Sequence, residues 1–201
     1  MRTLTKETQS SLTPSQAIQL LADGNRRFVN NLKVNRNLLQ QVNDTAAGQY
    51  PFAFILSCID SRTSAELIFD QGLGDIFSCR VAGNVLNDDI LGSMEFACKL
   101  AGSKVIVVLG HTKCGAIKGA CDNVELGHLT GLLKKIRPVI ESQSGRNAGP
   151  ADTENVARLN VQYVVQQIPQ QSEILAELVK EGKISIAGGL YDVESGKVTF
   201  F

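Results

Sequence analysis

Charge of one sign is what this sequence lacks first: twenty Lys and Arg are balanced by twenty Asp and Glu, and neither half holds a long run of either. Without a basic stripe there is no long-range attraction for a polyanion, so neither nucleic acid nor an anionic membrane surface is an expected partner. Long hydrophobic runs are missing too. No window approaches the roughly 18 apolar residues that a bilayer span needs, and the opening MRTLTKETQSSLTPSQ has no apolar core of a secretion signal. Internal repeats, low-complexity tracts and linker-like stretches are absent. Cysteine is sparse and odd in number: Cys58, Cys79, Cys98, Cys114 and Cys121 are widely spaced in a chain large enough to dispense with disulfide staples. That usage points to a reducing compartment and a cytoplasmic location. The 201 residues, 43% of them hydrophobic, suffice for one domain over 1–201 with its own core, an N-terminal helical arm over 1–35 leading into an α/β body over 50–201.

Helical and strand periods alternate along the chain. Thr13-Pro14 reads as a cap and first helical position, followed by Ala17, Leu20, Leu21, Gly24 and Phe28 on one helical face. Phe52 to Ser57 and Val105 to Leu109 are short continuous apolar runs of the kind buried on both faces of a parallel sheet. Ile76 to Val81 reads as a strand between them and Ile90 to Leu100 as a helix. A helix is predicted from Leu129 through Ile140, then a surface loop over ESQSGRNAGPADTE, then helices from Val156 to a stop near Pro169 and from Ser172 to Glu181. Ile184 to Asp192 and Lys197 to Phe201 flank Glu194-Ser-Gly196 as a hairpin. The pattern predicts an α/β fold, a mostly parallel central sheet flanked by helices with a C-terminal edge hairpin, whose ligand site lies beyond the carboxyl ends of the strands.

Directly after the two most apolar strands stand Cys58-Ile-Asp-Ser-Arg62 and Gly110-His-Thr-Lys-Cys-Gly115. Cys58, His111 and Cys114 can therefore enclose one ion. Two thiolates and an imidazole suit Zn2+, one per chain, and three protein ligands leave a fourth position for water. Two thiolates also cancel the charge of Zn2+ on paper, which blunts its effect on that water. Asp60 could occupy the fourth position itself and close the site. Arg62, two residues further along, can instead hold Asp60 with its guanidinium fork and leave a carboxylate oxygen free to accept a hydrogen bond from hydroxide on the metal.

These residues look like a known signature. Cys58-x-Asp60-x-Arg62, Arg80-Val-Ala-Gly-Asn84 and His111-x-x-Cys114-Gly115 resemble the β-carbonic anhydrases, as do PSQAIQLLADGNRRFV, IFDQGLGDIFSCRVAGNVL, SMEFACKL and VIVVLGHTKCGAIKG, together covering most of residues 14 to 120. The resemblance implies reversible hydration of CO2 to bicarbonate and a proton by zinc-bound hydroxide. It assigns the metal to Cys58, His111 and Cys114, the catalytic dyad to Asp60 and Arg62, and substrate contacts to Gln49, Phe77, Ala82, Phe96 and Gly115. It also implies a dimer or tetramer, with Gln49 reaching a neighbour's zinc. Gln49, and Ile55 where one subtype carries a tryptophan, favour the plant-like, open subtype. Ala82 is smaller than the usual residue there, and Phe96 lacks the common phenolic hydroxyl.

Two other readings stand beside this one: hydrolysis of carbon disulfide or carbonyl sulfide on the same zinc, and a non-catalytic zinc-binding module. Blander roles fall to the remaining candidates. Cys79, Cys98 and Cys121 read as buried small hydrophobes, His128 as a helix-start or surface histidine, and Gln71-Gly-Leu-Gly-Asp75 as a turn lacking the Lys-Ser/Thr pair of a phosphate loop. Lys113 and Lys118 read as solvated charge on a helix, and Arg80 as a strand-end charge or a support of the cleft.

Overall fold

The computed structural model describes residues 3–142 and 153–201. Helices α1 (Lys6–Ser11), α2 (Pro14–Val29) and α3 (Leu38–Thr45) precede β1 (Ala53–Ser57). Thr13 caps α2 reciprocally: its Oγ1 accepts from the Gln16 amide at 3.2 Å, and Gln16 Oε1 accepts from the Thr13 amide at 2.9 Å. After β1 come α4 (Ala65–Ile68), β2 (Ile76–Arg80), a 3-10 turn (Ala82–Asn84) and α5 (Asp88–Glu95), which continues as a π-helical segment over Phe96–Leu100. Then follow β3 (Val105–His111), α6 (Gly115–Cys121), α7 (Gly127–Lys134), α8 (Arg137–Ser142), α9 (Thr153–Gln171), α10 (Glu173–Lys180), β4 (Ser185–Tyr191) and β5 (Val198–Phe200).

The five strands form one sheet in the order β2-β1-β3-β4-β5, parallel throughout except for β5, which returns antiparallel beside β4. Every residue of β1 and β3 is buried. Side-chain alternation sends Phe54, Leu56, Ile106 and Val108 to one face, against Met94 of α5, Val161 and Ile168 of α9 and Leu175 of α10. Ala53, Ile55, Val105 and Val107 go to the other face, against Ala17 and Leu21 of α2 and Ile68 of α4. A third cluster lies beyond the strand ends, where Cys58 and Cys114 pack with Ile117, Leu133, Ile136, Val139, Val156 and Ala157. Among the described residues no helix is long and apolar enough to cross a membrane.

Several boundaries differ from the sequence reading. The helix predicted over Leu129 to Ile140 is two, because Pro138 opens α8 in its first turn, where its missing N–H costs nothing, and the chain turns at Lys135–Ile136 before it. Pro169 does not stop α9, which runs on to Gln171; only one ladder bond of the last turn is lost there. Residues 143–152 of the predicted surface loop lie outside the described residues, and its ends belong to α8 and α9. β3 extends two residues past Leu109, so His111 is itself a strand residue. Cys98 is buried as expected and burial pushes its thiol up to about 12, but Cys79 and Cys121 are only half-buried.

Candidate metal centre

β1 and β3 are parallel neighbours with Ser57 opposite Leu109, so the residues that follow them emerge side by side. Cys58 comes directly after β1, His111 ends β3, and Cys114 lies three residues on, as the residue preceding α6. The two sulfurs and an imidazole nitrogen lie within 4.8 Å of one another, and all three residues are buried. Among the described residues this is the one cluster of three or more His, Cys, Asp or Glu side chains close enough to hold an ion.

The histidine shows how such an ion would be met. His111 Nδ1 lies 2.9 Å from the Thr112 carbonyl oxygen. A carbonyl only accepts, so Nδ1 carries the hydrogen and Nε2 is left with a bare lone pair. Nε2 is buried and, among the described residues, has no hydrogen-bond partner. An unpaired buried acceptor beside two thiols is costly in a purely structural site, and it fits a borderline-soft divalent cation. The neighbouring Cys114 thiol draws the Cys58 thiol far down, helped by the amides of Asp60 and Gly83 against the effect of burial. Cys114 is raised for the same reason, and burial adds to it.

Around this core the chain is tied down from three sides. Thr63 Oγ1 sits 2.9 Å from the carbonyls of both Cys58 and Asp60. Arg80, at the end of β2, donates from Nε to the Cys58 carbonyl at 3.0 Å and from Nη2 to the Asp60 carbonyl at 2.5 Å. Thr112 donates its amide to the Tyr191 carbonyl at 2.9 Å and accepts the Val193 amide on Oγ1 at 3.1 Å. Lys113, at φ +56°, stands in a turn rather than on a helix and pairs with Glu194; Lys118 is on α6 and pairs with Asp122.

Asp60 is outside the ligand cluster. Arg62 holds it with Nε to Oδ1 at 2.9 Å, Nη2 to Oδ2 at 2.8 Å and its own amide to Oδ1 at 3.0 Å. Those bonds, and the nearby imidazole, keep the Asp60 carboxyl well below the usual carboxylate range despite some desolvation. A cavity of about 260 Å³ opens beside Cys58 and Asp60, walled by Ala82, Gly115, Ala116, Leu129 and Leu133. Larger hollows lie along β2 (about 680 Å³) and at the 33–38 segment (about 420 Å³), away from the ligand cluster.

Of the five residues assigned to substrate, the structure puts Ala82 and Gly115 in the cavity beside the cluster. Phe77 and Phe96 make an edge-to-face pair, centroids 6.2 Å apart, in the hollow along β2, and Gln49 is exposed between α3 and β1. None of these three lines the smaller cavity within one chain. The supporting hydrogen bonds of Thr63, Arg80 and Thr112 have no periodic or spacing signal; only Arg80 stood out in sequence, by its place at a strand end.

A buried Cys-His-Cys group beyond the carboxyl ends of a parallel sheet, with an ion-paired carboxylate and a small apolar cavity beside it, defines a metal-dependent enzyme for a small substrate. Comparisons with known proteins agree. The family model described as carbonic anhydrase matches residues 53–198. Carbonic anhydrase 2 of Mycobacterium tuberculosis is 36% identical over 192 residues, covering 92% of this chain and 91% of that one. A carbonic anhydrase of Synechococcus elongatus is 30% identical over 181 residues, covering 82% of this chain and 64% of that one. Among solved structures, the β-carbonic anhydrase CafA of Aspergillus fumigatus superimposes with a TM-score of 0.76 at 26% identity, covering 93% of this chain and 89% of that one. The chain belongs to the carbonic anhydrase family, in its β class, and its reaction is that of a carbonate dehydratase.

Proposed function

We propose that the chain interconverts CO2 and bicarbonate with Zn2+, one per chain, held by Cys58 Sγ, His111 Nε2 and Cys114 Sγ, in a site left open to water rather than closed by Asp60. The observation that carries this reading is that the three ligand atoms are assembled and buried while both Asp60 oxygens are engaged by Arg62. Zinc with three protein ligands supplies a Lewis acid that lowers the pKa of water toward neutrality and so provides a nucleophile at physiological pH.

The chain's own residues supply the rest. Asp60, kept ionised by Arg62, can only accept. Its Oδ1 takes two of the Arg62 bonds and Oδ2 one, so Oδ2 keeps the freer lone pair. An acceptor there fixes the direction of the nucleophile's O–H and turns an oxygen lone pair toward the substrate carbon. Ala82, Ala116, Leu129 and Leu133 give CO2, which carries no net charge or dipole, an apolar wall to rest against. Self-association belongs to the same proposal. A dimer or tetramer would bring a neighbour's Gln49, and the Phe77–Phe96 pair, to the edge of the site. Solved β-carbonic anhydrases of Sordaria macrospora are described as tetrameric.

The test is stopped-flow CO2 hydration from about pH 6.5 to 9, the range that brackets a zinc-activated water, on protein of measured zinc content. One zinc per chain and fast hydration already near neutral pH are expected. Activity confined to alkaline pH would show that Asp60 closes the site, and no hydration at any pH with full zinc would overturn the reading.

A further inference from the structure

The Cys58 sulfur has a hydrogen-bond donor from outside the ligand cluster: the Gly83 amide lies 3.4 Å from Sγ. Gly83 sits at φ +68° in the 3-10 turn, where a side chain would be strained, and a Cβ there would press on Ile136 Cδ1 at 2.9 Å, so glycine suits this position. The turn is short, three residues between a strand and a helix. What holds it from the far side is Asn160 of α9, whose Nδ2 donates to the Gly83 carbonyl at 2.9 Å across 77 residues of chain.

Asn160 is fully buried, and its Oδ1 has no hydrogen-bond partner among the described residues. An apolar side chain would avoid that unpaired acceptor but would leave the Gly83 carbonyl without its donor, so the amide at this depth serves the turn that carries Gly83. α9 comes this close to the site because Gly110, the residue before His111, has no side chain. A Cβ on it would lie 2.5 Å from Val161 Cγ2, next to Asn160. A glycine beside one ligand thus admits the helix that steadies the donor to another.

The electrostatics say what that donor is for. Two thiolates cancel the charge of a divalent cation, and a hydrogen bond to a thiolate draws back some of the electron density the sulfur would otherwise give the metal. We propose that Asn160 is a positioning residue of the metal centre, holding the Gly83 amide on the Cys58 sulfur and so limiting how much charge that sulfur donates to the bound cation. The proposal rests on the metal-centre reading above.

The test uses the full chain loaded with Co2+ in place of Zn2+, which makes the sulfur-to-metal charge-transfer band visible. Asn160→Leu removes the donor, and Asn160→Ser, smaller and gentler on packing, removes its reach. Both should bind one Co2+ per chain with unchanged far-UV circular dichroism, and the band should move to longer wavelength. Val161→Ala, a packing lesion at the next residue, should leave the band in place. A band unmoved in the Asn160 variants, an equal shift in Val161→Ala, or failure of both Asn160 variants to fold would each overturn the positioning role. A parent chain that takes up neither ion would instead overturn the metal-centre reading on which it rests.

Discussion

Arg62 grips Asp60 through both carboxylate oxygens, at 2.9 Å and 2.8 Å, although the two residues stand only two apart in the chain. That fork separates an acceptor from a metal ligand: the same carboxylate released could swing toward the cation. Asp60→Asn should therefore keep its metal and lose turnover by about a hundredfold or more, as measured by stopped flow alongside zinc content. In the parent, Asp60 stays ionised until the pH falls below the usual carboxylate range, because Arg62 lowers its pKa. Arg62→Leu lets that value rise toward the usual carboxylate range and frees the carboxylate to reach the cation, so hydration near neutral pH should fall while zinc is retained.

Removing a ligand should have the opposite signature. Cys58→Ala should lose the metal and the activity together, and a mutant that keeps full zinc would strike Cys58 from the ligand set. Because the assembled site binds metal only when folded, zinc at about 100 times its dissociation constant should stabilise the parent by about 2.7 kcal/mol. A chelator should abolish that gain, and Cys58→Ala should not show it; thermal melts with and without metal read both.

Asp70 anchors a second buried charge cluster, remote from the metal. Its carboxylate meets Arg27 Nε and Arg36 Nη1, each at 2.5 Å, and the Val34 amide at 3.2 Å. Burial by itself would raise its pKa, but these partners outweigh it and hold the value below normal. Asp70→Asn keeps the shape and tolerates the positive φ of 46° while leaving two arginines without their counter-charge, so it should cost about 3 kcal/mol near neutral pH. A depressed carboxylate stabilises the fold above its unfolded pKa and ceases to do so as the pH falls through its folded value. The gap between parent and variant should close in acid, which urea melts at stepped pH would show.

Two glycines should respond oppositely to alanine. At Gly110 a Cβ would collide with Val161 Cγ2, so Gly110→Ala should destabilise by about 1–3 kcal/mol and loosen the neighbouring His111. At Gly92, inside α5, a Cβ meets nothing within 4 Å, and Gly92→Ala should stabilise by up to about 1 kcal/mol through helix propensity. Denaturant midpoints measure both.

What could be read from sequence followed local physics. Buried strands announce themselves as continuous apolar runs, and the two that matter most, β1 and β3, stand where those runs are. The ligands were legible because strand ends and ligand-type residues coincide at Cys58 and His111. Asp60 and Arg62 were legible only as a carboxylate and a guanidinium two residues apart; what brings them together is a turn, closed by the Thr63 amide on the Asp60 carbonyl and the Arg62 amide on Asp60 Oδ1, and not extended chain. The break before Pro138 and the survival of α9 past Pro169 were not, since a proline's effect depends on which turn of a helix it occupies. Nor were Thr63, Thr112 and Asn160, whose bonds are made across the fold by side chains with no period and no spacing to mark them. Gln49, Phe77 and Phe96 stand apart from the cavity in a single chain, and their assignment rests on the resemblance alone.

The brace on Thr112 has a consequence in time. Its partner Val193 lies 81 residues further along the chain, and synthesis runs from the amino end. Cys58, His111 and Cys114 have therefore left the ribosome well before the β4–β5 turn that steadies the Thr112 loop exists. A nascent chain can offer sulfur and imidazole to a cation early, but it cannot finish the cage until its last strands are made. A cation offered to the nascent chain before β4 and β5 exist would therefore meet these three side chains while their loop still lacks its brace.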